Sequence, residues 1–583
     1  MSNYTAIVIA NSAKKKLKSW LASHGADDEE RFETALTWNT TLVIISREIG
    51  ASVSGQSYFR GTAFSPAARA IVFGLQGWLR APKGMRSTPG DHNGEYCAIN
   101  WSPQEVTIDR DVFGNARLLT TAGPRFAAVS DSIVVLASLR RALGESLSVN
   151  AEMMLARAVL NNTAAQQMSP DTMFSEISFV PAGFGVRIDK RFKVNLTGTP
   201  MADRLSARGE VTYRDQVRMI ASDVCETVAG LASIDGWKSV LSLSGGYDSR
   251  VVFGAARSTD SFGPFSYFSA NNSPVHTRDF EVATSLADAF GMPAHHDPAF
   301  KPDDCPQQKL TLWAASLLGV YDGFGPNRTS RGQSRSFTIT GIGAELLKGN
   351  WGWRQFSALV ADLNSGAVRQ AYERQGRSGI EVLGGDPDSP YASELYYLGY
   401  RNGLHSAAGH IGLHMTGVHP LQQFQLAELG HARTNEGHRG NPSTIADISI
   451  LIDADVAAFE YDDPSRDIST IYARDRLRAL GGPLRAADID ALSVYGDPSS
   501  VPAGPSGVSM SIAQSIGSVG DYRKEVVLSL GEENLDLLGP ELRPHYMPLI
   551  EHAAWRIGKV NGNVRTAGAS SARVASLTAL RLL

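Results

Sequence analysis

The chain has 583 residues, with 55 Lys plus Arg against 59 Asp plus Glu, which argues against a general nucleic-acid-binding protein with its basic excess. The length allows about two to four domains. Three widely spaced cysteines, Cys97, Cys225 and Cys305, predict free buried thiols and exclude a zinc or disulfide framework. No stretch approaches the ~20 apolar residues of a membrane span, and the apolar run 6–10 is too short for a signal peptide. We therefore expect a cytoplasmic protein with no membrane partner.

Residues 1–205 are predicted to form a sheet-rich, layered domain. Short apolar or alternating runs bounded by Gly, Pro, Asn or Asp are typical of strands. The predicted strands are 41–46, 70–73, 96–100, 105–108, 133–136, 177–180 and 185–188. Apolar side chains at helical spacing predict a helix over 151–160, and the polar stretch 203–209 predicts a linker.

Residues 206–583 alternate strands with helices, which predicts βαβ units and a parallel sheet. The predicted helices are 217–231, 250–257 and 279–290, and the predicted strands are 239–243, 265–268 and 336–339. The chain from about residue 351 is predicted to be largely helical. A Ser-, Gly- and Pro-rich stretch at 496–520 contains few large apolar residues, so it is either a disordered linker or a lid that orders on substrate binding.

The segment SVLSLSGGYDSRVVF is the most informative part of the chain. An apolar strand is followed by the loop 244–249, Ser-Gly-Gly-Tyr-Asp-Ser, and then by a helix. Two glycines let the backbone approach a ligand closely, and a helix N-terminus presents unpaired N–H groups to an anion. Asp248 suits such a site when it binds a magnesium ion that neutralises a polyphosphate. The loop therefore predicts a phosphate-binding cradle.

This loop resembles the pyrophosphate-binding loop of ATP pyrophosphatases. Its context is similar to the asparagine synthetase and β-lactam synthetase superfamily, which includes lasso-peptide macrolactam cyclases. The further matches occur in the family's order over most of 85–430: GEYCAINW, VTIDRDVFGNARLLTT with Arg110, Asp111 and Gly114, TMFSEISFVPAGFGVRI, 279–295, TITGIGAELLKGNW and GLHMTGVHPLQQFQLAEL. The resemblance implies an amidotransferase-like, Ntn-type β-rich domain at 1–205. It also implies an ATP pyrophosphatase-type synthetase domain with a helical extension at 206–583.

The resemblance also implies the cofactors ATP and Mg²⁺. The implied nucleotide-binding positions are Leu243, Ser244, Gly245, Gly246, Asp248, Ser249, Phe268, Gly341 and Gly343. Magnesium is expected at Asp248 and Glu345, where the family usually has Asp at the second position. A substrate carboxylate would attack the α-phosphate to give an acyl-adenylate and pyrophosphate, and an amine would then attack the activated carbonyl.

The sequence departs from the family at the glutaminase position. Glutamine-hydrolysing members have a cysteine directly after the initiator Met, and this chain has Ser2 followed by Asn3. The amine is therefore expected to come from a substrate, as in β-lactam synthetases and lasso cyclases.

Two further departures affect the catalytic residues. Ile342 occupies a position where relatives carry a polar side chain that helps deprotonate the amine, and isoleucine has no such chemistry. His405, His410 and His419 are the alternative bases, and His405 is the residue chosen here. Relatives also use a C-terminal lysine to stabilise the transition state. Lys559 is the preferred candidate for that role, over Lys524 and Lys348.

Two other features have open interpretations. Arg250, directly after the loop, either balances phosphate charge or is an exposed helix residue. The aromatic residues Trp351, Trp353 and Phe356 either line an acceptor pocket or belong to the core.

Three functional hypotheses remain open. The first is a macrolactam cyclase in peptide antibiotic biosynthesis, acting on a precursor peptide that carries both carboxylate and amine, with a leader-peptide-processing partner protein. The second is an amide ligase for a small metabolite or glycan precursor. The third is a catalytically degenerate ATP-binding scaffold, which Ile342 favours and the intact loop disfavours. A tRNA thiolation enzyme is disfavoured by the missing CxxC pair and the missing basic surplus.

Overall fold

The computed structural model describes residues 4–25, 29–37, 39–160, 166–207, 209, 211–259, 262–271, 276–295, 308–325, 335–364, 366–408, 416–435, 443–485, 487, 489–501, 504–560 and 568–583. Within these ranges the fold is mixed α/β, with antiparallel and parallel strand pairs and many helices. Over the same ranges, no helix has the length and apolarity needed to cross a bilayer.

The strands fall into three sheets. Their bounds are β1 Tyr4–Ala10, β2 Arg31–Leu36, β3 Thr40–Ser46, β4 Val53–Ser54, β5 Ser57–Ser65, β6 Ala70–Phe73, β7 Asn93–Trp101, β8 Glu105–Arg110, β9 Leu119–Gly123, β10 Phe126–Ser130, β11 Ile177–Phe179, β12 Phe184–Asp189, β13 Val194–Gly198, β14 Lys238–Ser242, β15 Phe265–Phe268, β16 Ser336–Ile339, β17 Thr416–Val418 and β18 Ser493–Tyr495.

Helices cover the sheets and make up most of the second half. Their bounds are α1 Lys14–Ser23, α2 Gly74–Arg80, α3 Lys83–Ser87, α4 Ile133–Leu143, α5 Ala151–Arg157, α6 Met201–Ser206, α7 Tyr213–Ala232, α8 Tyr247–Arg257, α9 Thr277–Phe290, α10 Lys309–Ser316, α11 Glu345–Lys348, α12 Phe356–Val360, α13 Ala367–Val382, α14 Ala392–Tyr397, α15 Gly403–Ala408, α16 Phe424–Asn435, α17 Ser443–Ile452, α18 Ala454–Ala457, α19 Thr470–Ala479, α20 Gly507–Ser515, α21 Lys524–Glu532, α22 Gly539–Lys559 and α23 Ala569–Ser576.

Two sheets from the first 200 residues pack face to face. One has the antiparallel order β11-β9-β10-β1-β3-β2, and the other has the order β13-β12-β8-β7-β5-β6-β18. Side chains from the two sheets meet between them, with the rings of Tyr4 and Tyr58 6.5 Å apart and those of Phe32 and Trp101 5.5 Å apart. Such contacts between inner faces form the core of a layered sheet structure.

The strand β18 joins the second of these sheets from far along the chain. It pairs in parallel with β6, with Val494 opposite Ile71. The buried guanidinium of Arg60 also donates to the carbonyl of Gly504. The predicted boundary at residue 205 stays a prediction, and these contacts tie segments on its two sides together.

The third sheet is parallel and has the order β15-β14-β16-β17. The chain passes from β14 to β15 on one side and from β16 to β17 on the other. The connections that leave the neighbouring carboxyl ends of β14 and β16 therefore diverge. Divergence of this kind opens a crevice at the sheet edge, where ligands of open α/β sheets bind.

The structure corrects three predictions of local structure. Residues 133–136 belong to the buried helix α4, because an all-apolar run does not distinguish a strand from a helix that is covered on every side. Residues 203–206 belong to α6, which buries Met201 and Leu205, so the linker prediction is wrong there. Residues 507–515 form the helix α20 against α4 and α10, since small residues such as Ser509 and Ala513 allow close packing. The disorder hypothesis is therefore wrong for this helix, and the lid hypothesis stays a prediction.

The thiol prediction is confirmed for Cys97 and Cys225, which are free and buried. Burial raises the pKa of the Cys97 thiol well above its ordinary value, so this thiol is a poor nucleophile. Cys305 lies outside the described residues.

The helix α7 carries a half-buried acid, Asp223, that makes stability depend on pH. Burial, and then the negative charge of Glu226, raise the pKa of Asp223 to about 7. Because this pKa is raised in the folded chain, the associated stability is complete below pH 4 and is lost as the pH rises through 7. We expect Asp223→Asn to raise the free energy of unfolding at pH 8 by about 2 kcal/mol, with a smaller gain at pH 5. Urea unfolding at both pH values tests this, and an equal gain at both would contradict it.

Candidate active site

The loop 244–249 lies at the carboxyl end of β14, in the crevice between β14 and β16. The strand ends at Ser242, the backbone turns through the two glycines, and α8 begins at Tyr247 with Gly246 as its extended N-cap residue. The N–H groups of the first turn of α8 therefore face the crevice without partners in their own helix. This placement is the one predicted from the sequence.

Two serine hydroxyls hold the loop in shape. The Oγ atoms of Ser244 and Ser249 lie 3.1 Å apart, and the Ser249 hydroxyl donates to the Ser244 carbonyl at 3.0 Å. The Ser244 N–H in turn donates to Ser249 Oγ at 3.1 Å. Bonds that close a ring across six residues pre-organise the loop for a ligand.

Asp279 contacts the loop 244–249 and was not among the site residues predicted from the sequence. Its Oδ1 atom accepts the Gly245 N–H at 2.7 Å, so the loop amide already holds an anionic oxygen. Asp279 lies in the first turn of α9, the helix that follows strand β15 in the chain. The sequence feature that could have identified Asp279 is its position as an acid at the start of the predicted helix 279–290.

The second glycine-rich segment follows β16 and contacts the loop directly. A Cβ atom on Gly341 would lie 2.5 Å from the carbonyl carbon and 2.7 Å from the Cβ of Asp248. Gly343 is equally confined, because its Cβ would lie 2.3 Å from the Gln422 nitrogen and its φ is +113°. Glycine is therefore required at both positions for these backbones to approach each other.

Glu345 is the first residue of α11, and its carboxylate contacts the backbone of the glycine-rich segment that precedes it. Its Oε2 accepts the Gly343 N–H at 2.8 Å, and its Oε1 accepts from Asn402 Nδ2 at 3.0 Å. Over the described ranges, no group of three or more His, Cys, Asp and Glu side chains is placed to hold a metal. The donor set still fits Mg²⁺, which commonly takes one or two protein carboxylates and fills its other positions with water and phosphate oxygens. Asp248 and Glu345 are the residues that would hold it.

Leu243 and Phe268 lie side by side at the same edge of the sheet. The Leu243 N–H donates to the Phe268 carbonyl at 2.9 Å. Leu243 is buried, whereas the Phe268 side chain is 40% exposed. An exposed aromatic ring at the strand end suits the predicted contact with a flat nucleotide base.

Arg250 is not the exposed helix residue of one interpretation made from the sequence, and the charge-balancing interpretation stays a prediction. Its side chain is fully buried, and its guanidinium donates to the carbonyls of Phe459, Glu460 and Gly245. The guanidinium carbon also lies 3.5 Å from the ring centroid of Tyr461. Arg250 therefore fastens a distant segment to the back of the loop.

The candidate bases occupy different surroundings. His405 Nδ1 is 2.7 Å from the Tyr321 hydroxyl. Partial burial, and secondarily the charge of Arg401, lower the pKa of His405. An imidazole with a lowered pKa is neutral at pH 7 and is a weaker general base. His410 lies outside the described residues.

His419 is linked to the segment that carries Ile342. Its Nδ1 is 2.7 Å from Thr340 Oγ1, and the same hydroxyl accepts the Ile342 N–H at 3.2 Å. Its position next to β16 makes it the histidine that the described contacts connect most directly with the crevice.

The candidate lysines lie on the C-terminal helices. Lys559 is an exposed residue at the end of α22, with its Nζ 5.9 Å from the Trp555 ring centroid. Lys524 is exposed at the start of α21. The described contacts do not bring either lysine to the loop, so their catalytic role stays a prediction. The side chain of Lys348 lies outside the described residues.

The aromatic cluster divides between core and site. Phe356 and Trp353 are buried, whereas Trp351 is half-buried and stacks on Arg401 at 5.2 Å. The carboxylate of Glu394 accepts the backbone N–H groups of Asn350 and Trp351 and fixes this turn. Only Trp351 keeps a surface that a substrate could contact.

The crevice therefore combines a helix N-terminus, two hydroxyls and two carboxylates, which together suit a polyphosphate with a divalent cation. Asp279 and Asn402, which hold Gly245 and Glu345, were missed because neither is close to its partner in sequence. The sequence matches no protein-family model, and no curated protein is significantly similar to it.

Proposed function

We propose that this chain is an ATP-dependent carbon–nitrogen ligase. A substrate carboxylate oxygen attacks the α-phosphorus of ATP, the α–β anhydride bond breaks, and pyrophosphate leaves. A substrate amine then attacks the acyl-adenylate, forming the amide bond with loss of AMP and a proton. The chain's own residues position the reactants and stabilise charge, and they form no covalent bond to them.

One observation carries this proposal. The Ser-Gly-Gly-Tyr-Asp-Ser loop and Gly341 meet at Asp248, in the crevice between β14 and β16. A glycine-rich loop before a helix is a suitable phosphate cradle on its own. Its location where the strand connections diverge adds an independent reason to expect a nucleotide there.

The N-terminal sheets support the finer assignment. Two sheets packed face to face, with helices outside them, are the layered form expected of an Ntn-type amidotransferase-like domain. We propose that the amine comes from a substrate. A precursor peptide closed into a macrolactam is the leading substrate, and a small metabolite or glycan precursor is the alternative. The proposed location is the cytoplasm, where ATP is plentiful.

A second candidate is an ATP-binding scaffold without turnover. Ile342 at the position of the expected base, and the lowered pKa of His405, favour this alternative. The ordered hydroxyls of Ser244 and Ser249 and the retained acids disfavour it, because a scaffold needs no such arrangement.

The test uses the full-length chain with ATP, Mg²⁺ and a panel of carboxylates: peptides with Asp or Glu side chains and a free amino terminus, amino acids, and uronic acids with amino sugars. We expect pyrophosphate and AMP release with one member of the panel. Asp248→Ala is expected to lower this release about tenfold or more, because it removes a proposed metal ligand. Asp288→Ala, which removes an exposed acid of α9, is the matched control and is expected to have no effect.

Two other results would change the assignment. Tight ATP binding without turnover on any panel member would favour the scaffold. Absence of ATP binding by the wild-type protein would contradict both candidates.

A further inference from the structure

A row of buried amide side chains connects the N-terminal sheets with the proposed nucleotide site. Asn115, Gln422 and Asn402 are each at most 3% exposed. The side-chain amides of Asn115 and Gln422 form two hydrogen bonds with each other, at 2.8 and 3.2 Å. Gln422 Nε2 also donates a hydrogen bond to Asn402 Oδ1 at 2.8 Å. Asn402 Nδ2 in turn donates to Glu345 Oε1 at 3.0 Å. We call these three residues the amide relay.

The relay has a direction that ends on Glu345. Because Asn402 Oδ1 accepts from Gln422, its Nδ2 must face the carboxylate. Gln422 Nε2 also lies 3.1 Å from Ser406 Oγ, which shares one of its two N–H groups with the other acceptors. Each amide therefore fixes the orientation of the next, and the last N–H presents a donor to one carboxylate oxygen. Buried networks in which every member is satisfied are rigid and specify one geometry.

The backbone at both ends of the relay is itself fixed. Asn402 closes a π-helical turn, Leu398–Asn402, between α14 and α15, and such turns recur at functional sites. At the other end, Asp111 accepts the Asn115 N–H at 2.8 Å, and Asn115 Nδ2 also donates to the Gly94 carbonyl at 2.7 Å. The first link of the relay is therefore held by the loop after β8 and by β7.

We propose that Asn115, Gln422 and Asn402 are positioning residues that orient Glu345 for magnesium, so that the N-terminal sheets serve the ATP site without supplying ammonia. This inference rests on the proposed function. Hydrogen-bond partners that hold a metal-ligating carboxylate raise metal affinity by about 10–100-fold. The reason is that the carboxylate is already oriented before the metal binds and loses little orientational freedom on binding.

The test measures ATP binding by calorimetry at a series of Mg²⁺ concentrations, with the full-length wild type and its variants. Gln422→Leu removes the middle of the relay and is expected to raise the Mg²⁺ concentration for half-maximal ATP binding about tenfold, with ATP affinity unchanged at saturating Mg²⁺. The matched control is Gln423→Leu. Gln423 is the same residue type, is only 2% exposed and donates to the Pro420 carbonyl, outside the relay.

Asn115→Ala provides a second variant, far along the chain from the ATP site. It is expected to raise the Mg²⁺ requirement in the same direction, and the double variant with Gln422→Leu is expected to show no added effect, since both act on one relay. If Gln422→Leu does not fold, the Mg²⁺ requirement of Asn115→Ala alone decides whether the relay orients Glu345. An unchanged Mg²⁺ requirement in Asn115→Ala, or equal effects of Gln422→Leu and Gln423→Leu, would overturn the relay while leaving the proposed function intact. A wild-type protein that binds no ATP would overturn the proposed function together with the relay.

Discussion

Gly341→Ala is expected to lower the affinity for ATP about 100-fold or more. The added Cβ would lie 2.5–2.7 Å from the Asp248 carbonyl carbon, Cβ and carbonyl oxygen, closer than van der Waals contact allows. Two of these atoms are backbone, so the loop and the second segment must separate. A displacement of about 1 Å is enough to lose this much binding in a pre-organised site. Calorimetric titration of ATP in the presence of Mg²⁺ measures the change.

A methyl group added elsewhere controls for the general effect of the substitution. A Cβ on Gly558, in α22, meets no atom within 4 Å. Gly558→Ala is therefore expected to bind ATP like the wild type and to be slightly more stable, because alanine favours the helix. Wild-type ATP affinity in Gly341→Ala would show that the contact with Asp248 is not required.

Arg250→Ala is expected to lower the free energy of unfolding by about 3–5 kcal/mol. The substitution removes a fully buried guanidinium and leaves the carbonyls of Phe459, Glu460 and Gly245 without their donor. It also removes the contact with the Tyr461 ring at 3.5 Å. Each buried carbonyl that loses its partner costs about 1–3 kcal/mol, partly recovered where water enters. Urea unfolding followed by circular dichroism measures the loss.

Arg257, on the same helix, is the control for Arg250. Its side chain is 37% exposed and pairs with Asp453 at 2.6 Å. Arg257→Ala is expected to cost about 1 kcal/mol, less than Arg250→Ala, because the Arg257 side chain is partly exposed to water. Equal losses in the two variants would mean that Arg250 does not fasten the segment 456–462 to the loop.

Sequence patterns identified the elements whose surroundings are simple. The parallel strands 265–268 and 336–339 and the helices α7 to α9 follow the predicted pattern, helped by clear boundary residues such as Gly291. Residues 133–136 were misassigned as a strand, since the helix to which they belong is buried along most of its length and shows little polar face to reveal its period. The helix α20 was missed because small residues such as Ser509 and Ala513 pack well by fitting closely against their neighbours. The low hydrophobicity of the segment gave no indication of this packing.

The candidate site shows the same division. The loop 244–249 and Gly341 were predictable because close backbone approach demands glycine and phosphate binding demands a helix start. The partners that hold them were not. Asp279 reaches Gly245, Arg250 reaches the carbonyl of Glu460, and Gln422 reaches Asn115. These pairs join distant parts of the chain, and an isolated Asp, Arg or Gln in the sequence carries no sign of its partner.

The parallel pairing of β18 with β6 has a consequence for biosynthesis. During translation, Ala70–Phe73 emerges about 420 residues before Ser493–Tyr495, the segment that covers its edge. At roughly 5–20 residues per second, this interval is on the order of 20–80 s. For that time the nascent chain presents an apolar strand edge, which invites pairing with other chains. We therefore expect chaperones to bind this edge of the nascent chain until Ser493–Tyr495 has been made.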